Sequence, residues 1–427
     1  MKKLLLAASL VLFGMNLHAQ QIKRCGSVEY LKNLDKKYPG FEHGVKSLQD
    51  YMNTIPQKKT RGQVYIPVVV HIVYKNATEN LSDAYVTAQI DQLNKDYARL
   101  NSDTTNLRAE FKPIVGAANI RFVLQQIKRK QTTNADFPME FDWLGNNAAD
   151  DVKVSANGGD DAVSPNTTLN IWVCDISVTG GEILGYAYPP PGLPNWGAGA
   201  NYPSQALDGV VIDYIAFGGA SKLPVGYSSF GCKGRTAVHE VGHYLGLRHI
   251  WGDDDGACQG QTDYEDDGIS DTPIQADASP FNCNKTINSC NQGTGDLKDM
   301  VENYMDYSSE SCQNSFTKGQ VSFMENVLAT IRTSIHMPTG IADPNPDFGI
   351  QIFPNPASNN ININLTSLDE KQASILISDA TGKIVYKAVH NALNELITIN
   401  TEYMQAGAYF VKIQTGSKNY NQTIIKQ

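Results

Sequence analysis

The sequence predicts two folded units: an α/β or α+β domain of the catalytic type, then a small all-β sandwich. Between residues 61 and 336, β-branched runs alternate with segments of helical period. A Pro-rich stretch, Met337-Pro-Thr-Gly-Ile-Ala-Asp-Pro-Asn-Pro-Asp347, then interrupts the chain, and only short alternating runs separated by turn residues follow it. The 427 residues, 41% hydrophobic and 19% charged, accommodate units of this size and exclude a disordered chain.

Lys2 and Lys3, the apolar run 4–13 and Leu17-His18-Ala19 have the order of a Sec signal peptide, residues 1–19. The run is too short for a spanning helix, which needs about 20 apolar residues, and no later segment qualifies. The mature chain is therefore expected to be soluble and exported through the periplasm, to the cell surface or beyond, where disulfides persist. Residues 20–60, with eight Lys/Arg against four Asp/Glu, read as a basic pro-segment.

Tyr65-Ile-Pro-Val-Val-Val-His-Ile-Val-Tyr74 reads as a largely buried strand. After it, Ser82 is a plausible N-cap, and Val86, Ile90, Leu93, Tyr97 and Leu100 recur at helical spacing, so this helix should lie on a sheet. Further strands are expected at 120–127, 168–174 and 210–217, a surface loop at 180–203, and helices at about 235–247 and 318–335. Beyond the linker, 337–350, strands at 361–365, 373–378, 383–387, 395–399 and 407–414 make a sandwich over 351–427.

The net charge of −9 disfavours a nucleic-acid partner. It is unevenly spread: +4 over 20–60, zero from Pro344 onward, and −15 over 61–343. In 253–271 there are eight Asp/Glu and no Lys/Arg, a density that would repel itself if left without a counter-charge. Carboxylates on a turn-rich loop suit Ca²⁺, with Asp263, Glu265, Asp266, Asp267 and Asp271 as candidates, although EF-hand spacing is absent and a merely solvated loop is the competing reading.

The chemistry concentrates in His239-Glu240-Val-Gly-His243-Tyr-Leu-Gly246-Leu-Arg-His249. On a helix His239 and His243 stack on one face, at the spacing that lets both bind one zinc ion. Glu240 lies near the metal without having to bind it, which suits a general base for activated water. Gly246 lets the chain leave the helix through a positive φ, so that His249 returns as the third ligand. Three imidazoles leave the fourth position open, the arrangement of a catalytic site.

This pattern resembles the metzincin zinc-protease signature, and 56 positions beyond it Asn303-Tyr-Met305-Asp-Tyr307 resembles the Met-turn. Together with HEVGHYLGLRHIWGD and the acidic, Cys-containing stretch, it is similar to the pappalysin/cytophagalysin branch over residues 61–336. The resemblance implies a twisted mixed sheet with active-site and backing helices and a loop-rich C-terminal lobe. It also implies Met305 as a floor beneath the metal, Tyr307 as a donor to the oxyanion, structural calcium near the acidic loop, and the crossed disulfides Cys258–Cys290 and Cys283–Cys312. By residues alone those four cysteines allow three pairings. Seven cysteines leave at least one outside an internal bridge, and Cys174 and Cys232 stay open between pairing with each other and remaining reduced.

Arg24-Cys25-Gly26 resembles the cysteine switch of latent metzincins, in which a thiolate fills the open zinc position. Release would follow cleavage in the basic hinge Lys58-Lys59-Thr60-Arg61. Some relatives cut before basic residues, but where they carry an acidic pocket residue, just before Cys312, stands Ser311, with Glu310 beside it. In the sandwich, Phe353-Pro-Asn-Pro-Ala357, Asp379-Ala-Thr-Gly382 and Gly407-Ala-Tyr-Phe-Val411 resemble the sorting domain of the type IX secretion system. The expectation is a secreted, monomeric zinc endopeptidase made as a latent zymogen, acting on proteins or peptides by Glu-assisted attack of zinc-activated water. The competing class is a non-enzymatic, calcium-dependent surface binding protein with a vestigial zinc site.

Overall fold

In a computed structural model the chain is described for residues 21–55, 63–140, 147–179, 181–190, 204–219, 232–253, 256–262, 267–335, 350–353, 355–365, 372–391, 396–415 and 419–427. The signal peptide, the basic hinge and nearly all of the Pro-rich linker lie outside these residues. The first described elements are strand β1 (Gln21–Lys23) and helices α1 (Ser27–Lys37) and α2 (Phe41–Thr54). Sequence reading assigned this segment a role but no helices.

The larger unit, expected to be the catalytic one, contains β2 (Val64–Tyr74), α3 (Asp83–Tyr97), β3 (Val115–Gly116), β4 (Ile120–Gln131), β5 (Leu169–Cys174), β6 (Ser177–Val178), β7 (Gly181–Ile183), β8 (Gly185–Ala187), β9 (Val210–Asp213), α4 (Arg235–Tyr244), β10 (Phe316–Thr317) and α5 (Lys318–Thr330). Its main sheet has the order β4-β2-β5-β9-β8, with β8 antiparallel at one edge and the other strands parallel. The β-branched run in β2 is explained by this position: a strand flanked on both sides and covered on both faces is apolar on both faces. Ile66, Val68, Val70 and Ile72 enter one core with Val86, Ile90, Leu93 and Tyr97 of α3 and Ala237, Val238 and Val241 of α4. Val73, with Trp172, Cys174 and Val211, faces a second core that also takes Tyr30, Leu34 and Phe41 from the first two helices. Helices α1 and α2 thus supply side chains to the face of the sheet opposite α3 and α4.

Local signals located the elements better than their ends. Ser82 is the N-cap of α3, but its hydroxyl makes no capping bond. Leu100 lies past the helix, 53% exposed, because α3 stops at Tyr97 and Arg99 turns the chain at φ 54°. The expected strand 210–217 stops at Asp213, whose carboxylate accepts from the N–H groups of Ile176 and Ile215 and ends the ladder. α5 starts in a Thr317–Gln320 capping box, which the other described α-helices lack.

The C-terminal unit packs sheet β11-β12-β15 (Gln351–Phe353, Asn360–Asn364, Ile397–Asn400) on sheet β14-β13-β16-β17 (Ile384–His390, Ala373–Asp379, Gly407–Thr415, Asn419–Lys426). Ile361, Ile363, Ile375, Ile377, Val411, Ile413 and Ile424 fill the space between them. The sandwich was expected; β11 and β17 were not. Among the described residues no helix is long and apolar enough to cross a membrane.

Candidate metal centre and active site

Helix α4 holds His239 and His243 one turn apart, and it ends where Gly246 takes φ 90°. The Leu247 N–H then bonds back to Gly242 O at 3.0 Å, so the chain doubles back and delivers His249 beside the other two rings. The three Nε2 atoms lie 3.1, 3.2 and 3.3 Å apart. A tetrahedral site with Zn–N bonds of about 2.0–2.1 Å has N···N edges of about 3.3 Å, so the donor set fits zinc.

Each ring's other nitrogen is already committed. Nδ1 of His239 donates to Tyr304 O at 2.7 Å, Nδ1 of His243 donates to Leu247 O at 2.8 Å, and Nδ1 of His249 meets the Asp253 carboxylate. These bonds aim Nε2 inward, the outer-shell arrangement metal-binding histidines use. Trp251 stacks on His249 at 4.3 Å and fixes the ring plane. Burial, followed by the neighbouring imidazoles, holds His239 well below the usual histidine range; burial, then His249, brings His243 down to about 3. Neutral imidazoles are what a metal requires.

Met305 lies beneath α4, fully buried. A Cβ at Gly242 would come within 2.5 Å of its sulfur, so only glycine lets the helix settle on this floor. Tyr307 stands edge-on to His249 at 4.9 Å and to Trp251 at 4.8 Å.

Residues 21–27 run along the cleft rim. β1 pairs in parallel with β7, Gly26 N–H donates to Gly185 O at 2.9 Å, and Leu184 N–H donates to Lys23 O at 3.0 Å. The buried Cys25 thiol converges with the three imidazoles, the four ligand atoms lying within 4.8 Å of one another. The Ser27 hydroxyl donates to Glu240 Oε2 at 3.0 Å, and the Tyr307 hydroxyl donates to Cys25 O at 3.3 Å. Burial pushes the Glu240 carboxyl up to about 8, against the lowering pull of Cys25, Ser27 and Arg24.

Arg24, Ser27, Trp251 and Asp253 were missed as parts of the site. The tripeptide Arg-Cys-Gly contained the signal for Arg24. Its buried guanidinium donates to Ser308 O and Gln313 Oε1, both at 2.8 Å, and lies 3.6 Å from Glu310. Ser311 is exposed, whereas Glu310 is buried and also accepts from Thr236 at the start of α4. The acidic group near Arg24 is therefore the neighbour of the residue on which the sequence focused.

The disulfides are Cys258–Cys290 and Cys283–Cys312; Cys174 and Cys232 form none with each other. Of the acidic candidates, Asp263, Glu265 and Asp266 lie outside the described residues. Asp267 is buried and accepts from Ile269 N–H and the Thr272 hydroxyl; Asp271 accepts from Gly319 N–H in the first turn of α5.

Three converging imidazoles beside a buried carboxyl, in a cleft rimmed by an antiparallel edge strand, define a metal-dependent hydrolase. Residues 190–329 match the family model described as pregnancy-associated plasma protein-A, and 351–427 match that of a secretion system C-terminal sorting domain. An extracellular metalloprotease of Pyricularia oryzae is 33% identical over 270 residues, 62% of this chain and 76% of that protein. One of Colletotrichum graminicola is 31% identical over 277 residues, 63% and 79% of the two chains. Mature mirolysin of Tannerella forsythia, solved in complex with a cleaved peptide, is 38% identical, with TM-score 0.54 over 65% of this chain and 96% of that one. A promirolysin mutant from the same organism is 33% identical, with TM-score 0.59 over 74% and 97%. The chain belongs to the pappalysin family of extracellular metalloproteases and carries a type IX sorting domain. It is a zinc-dependent metalloendopeptidase that acts on protein or peptide substrates outside the cell or at its surface.

Proposed function

We propose that the protein is made as a latent zymogen in which residues 24–27 close the catalytic cleft, and that Glu240 drives peptide hydrolysis once they leave. A single observation carries this reading: one short segment brings Cys25 to the three imidazoles, Ser27 to Glu240 and the Cys25 carbonyl to Tyr307. The zinc that His239, His243 and His249 would hold supplies Lewis acidity toward the scissile carbonyl and lowers the pKa of water. Glu240, freed of Ser27, takes a proton from the attacking water and passes it to the leaving amine. The Tyr307 phenol, kept protonated by burial, donates to the oxygen on which negative charge develops. In the precursor, the Cys25 sulfur is the group available to the fourth coordination position and excludes water from it.

The burial of Arg24 between Ser308 O, Gln313 and Glu310 supports a preference for a basic residue at P1′. We further read the acidic loop, including Asp263, Glu265, Asp266, Asp267 and Asp271, as a structural calcium site. Export would use the Sec route through the periplasm, maturation would cut at 58–61, and the enzyme would act as a monomer. The test of the central reading uses the full chain with Cys25→Ala. It is expected to self-process and cleave casein, sensitively to o-phenanthroline, while wild-type precursor stays silent; an equally silent variant contradicts latency through Cys25. For calcium, EGTA should lower the Tm of zinc-loaded protein, and an unchanged Tm means a solvated loop.

A further inference from the structure

Lys153, its side chain fully buried, lies among four aromatic rings on the face of the sheet opposite the metal. Its ammonium is 4.9 Å from the ring centroid of Tyr186, 5.2 Å from Tyr30, 5.7 Å from Tyr188 and 5.8 Å from Trp172. It pairs with Asp150 at 2.9 Å and donates to Leu207 O at 3.0 Å. Three of the rings and both polar partners belong to the catalytic unit. The fourth ring, Tyr30, comes from α1 of the pro-segment. Its phenol donates to the Asp150 carboxylate, 2.9 Å from each oxygen, and its ring packs against Tyr186 at 4.9 Å and edge-on to Tyr188 at 6.1 Å.

Tyr186 is the central residue of the rim strand. On either side of it, Gly185 O accepts from Gly26 and Ala187 N–H donates to the Ser27 hydroxyl that also holds Glu240. Through Tyr186 the pocket is tied to the strand that binds residues 26 and 27. Departure of Tyr30 would leave an ammonium, a carboxylate and three aromatic faces around a hole shaped for a phenol. A tyrosine ring restores the cation–π contact and its hydroxyl restores the bond to Asp150, whereas phenylalanine would leave Asp150 short of a donor.

We propose that this pocket is a substrate-docking subsite for tyrosine, filled by Tyr30 in the precursor and by a tyrosine of the protein substrate in the processed enzyme. The substrate half rests on the zymogen reading above; the chemistry of the pocket does not.

The test therefore has two arms. In full-length precursor carrying Tyr30→Ala, p-cresol, the bare tyrosine side chain, should raise Tm by about 2–4 °C, with toluene and the wild-type precursor responding less. In processed wild-type enzyme, which needs no variant, a tyrosine scanned along an extension of a cleavable peptide should at one position lower KM about tenfold with kcat unchanged. There p-cresol should compete with the extended peptide and not with the short one. Absence of any p-cresol effect on the variant precursor, or equal KM for short and all extended peptides, overturns the proposal. If p-cresol binds the variant but no processed protease ever forms, the zymogen reading fails and takes the substrate half with it.

Discussion

The three converging histidines and the candidate catalytic groups beside them are held in different ways. His239, His243 and His249 are oriented by Tyr304 O, Leu247 O and Asp253, all within the catalytic unit. Glu240 and Tyr307 instead meet Ser27 and Cys25, from the segment read as a pro-segment, whose Arg24 also donates to Gln313. The imidazole cluster is thus assembled by contacts within the catalytic unit, whereas, on the reading proposed above, Glu240 and Tyr307 are covered by a segment that maturation removes. Latency, in this account, lies in occlusion of a finished site.

The strongest way to break the comparison is at Glu240. Glu240→Gln should lower kcat by about 10³-fold or more while zinc content stays at one per chain, measured by metal analysis of the processed protein. Loss of bound zinc would show that the carboxyl belongs to the scaffold side. Tyr307→Phe should cost about 10²-fold in kcat with little change in KM, as expected for a donor that acts when charge develops. A KM effect alone would make it a binding residue.

The scaffold side is probed by Asp253→Asn, which removes the carboxylate that orients His249. Zinc affinity should fall about 10–100-fold, read by chelator competition, with kcat of the fully loaded enzyme changed less than by Tyr307→Phe. The smallest expected effect lies outside both regions. Burial pushes the Asp91 carboxyl on α3 up to about 6. The folded chain then holds that proton more tightly than the unfolded one, so the stability this group contributes falls as pH rises from about 4 to about 6 and stays lost above. Asp91→Asn should accordingly raise Tm by about 2–4 °C at pH 7.5 and scarcely at pH 4, by calorimetry.

The metal scaffold was readable from sequence because it is local. His239, His243, Gly246 and His249 are fixed by helical period and one positive-φ turn. The occluding contacts were not, since Ser27 meets Glu240 across 213 positions and Arg24 meets Gln313 across 289. Cys25 could be named as a candidate switch, and the disulfides paired, only through resemblance. At Ser311 and Glu310 the sequence left open which of two adjacent side chains turns inward; the structure buries Glu310, which accepts from Thr236 at the α4 N-terminus. Leu100 followed the helical period one step too far, because periodicity does not register the turn at Arg99.

Zinc K-edge X-ray absorption on the purified, zinc-loaded precursor tests the central claim most directly. The account predicts one sulfur at about 2.3 Å with three nitrogens at about 2.0–2.1 Å, and loss of the sulfur in Cys25→Ala with the three nitrogens unchanged. A wild-type precursor with only nitrogen and oxygen neighbours would contradict it.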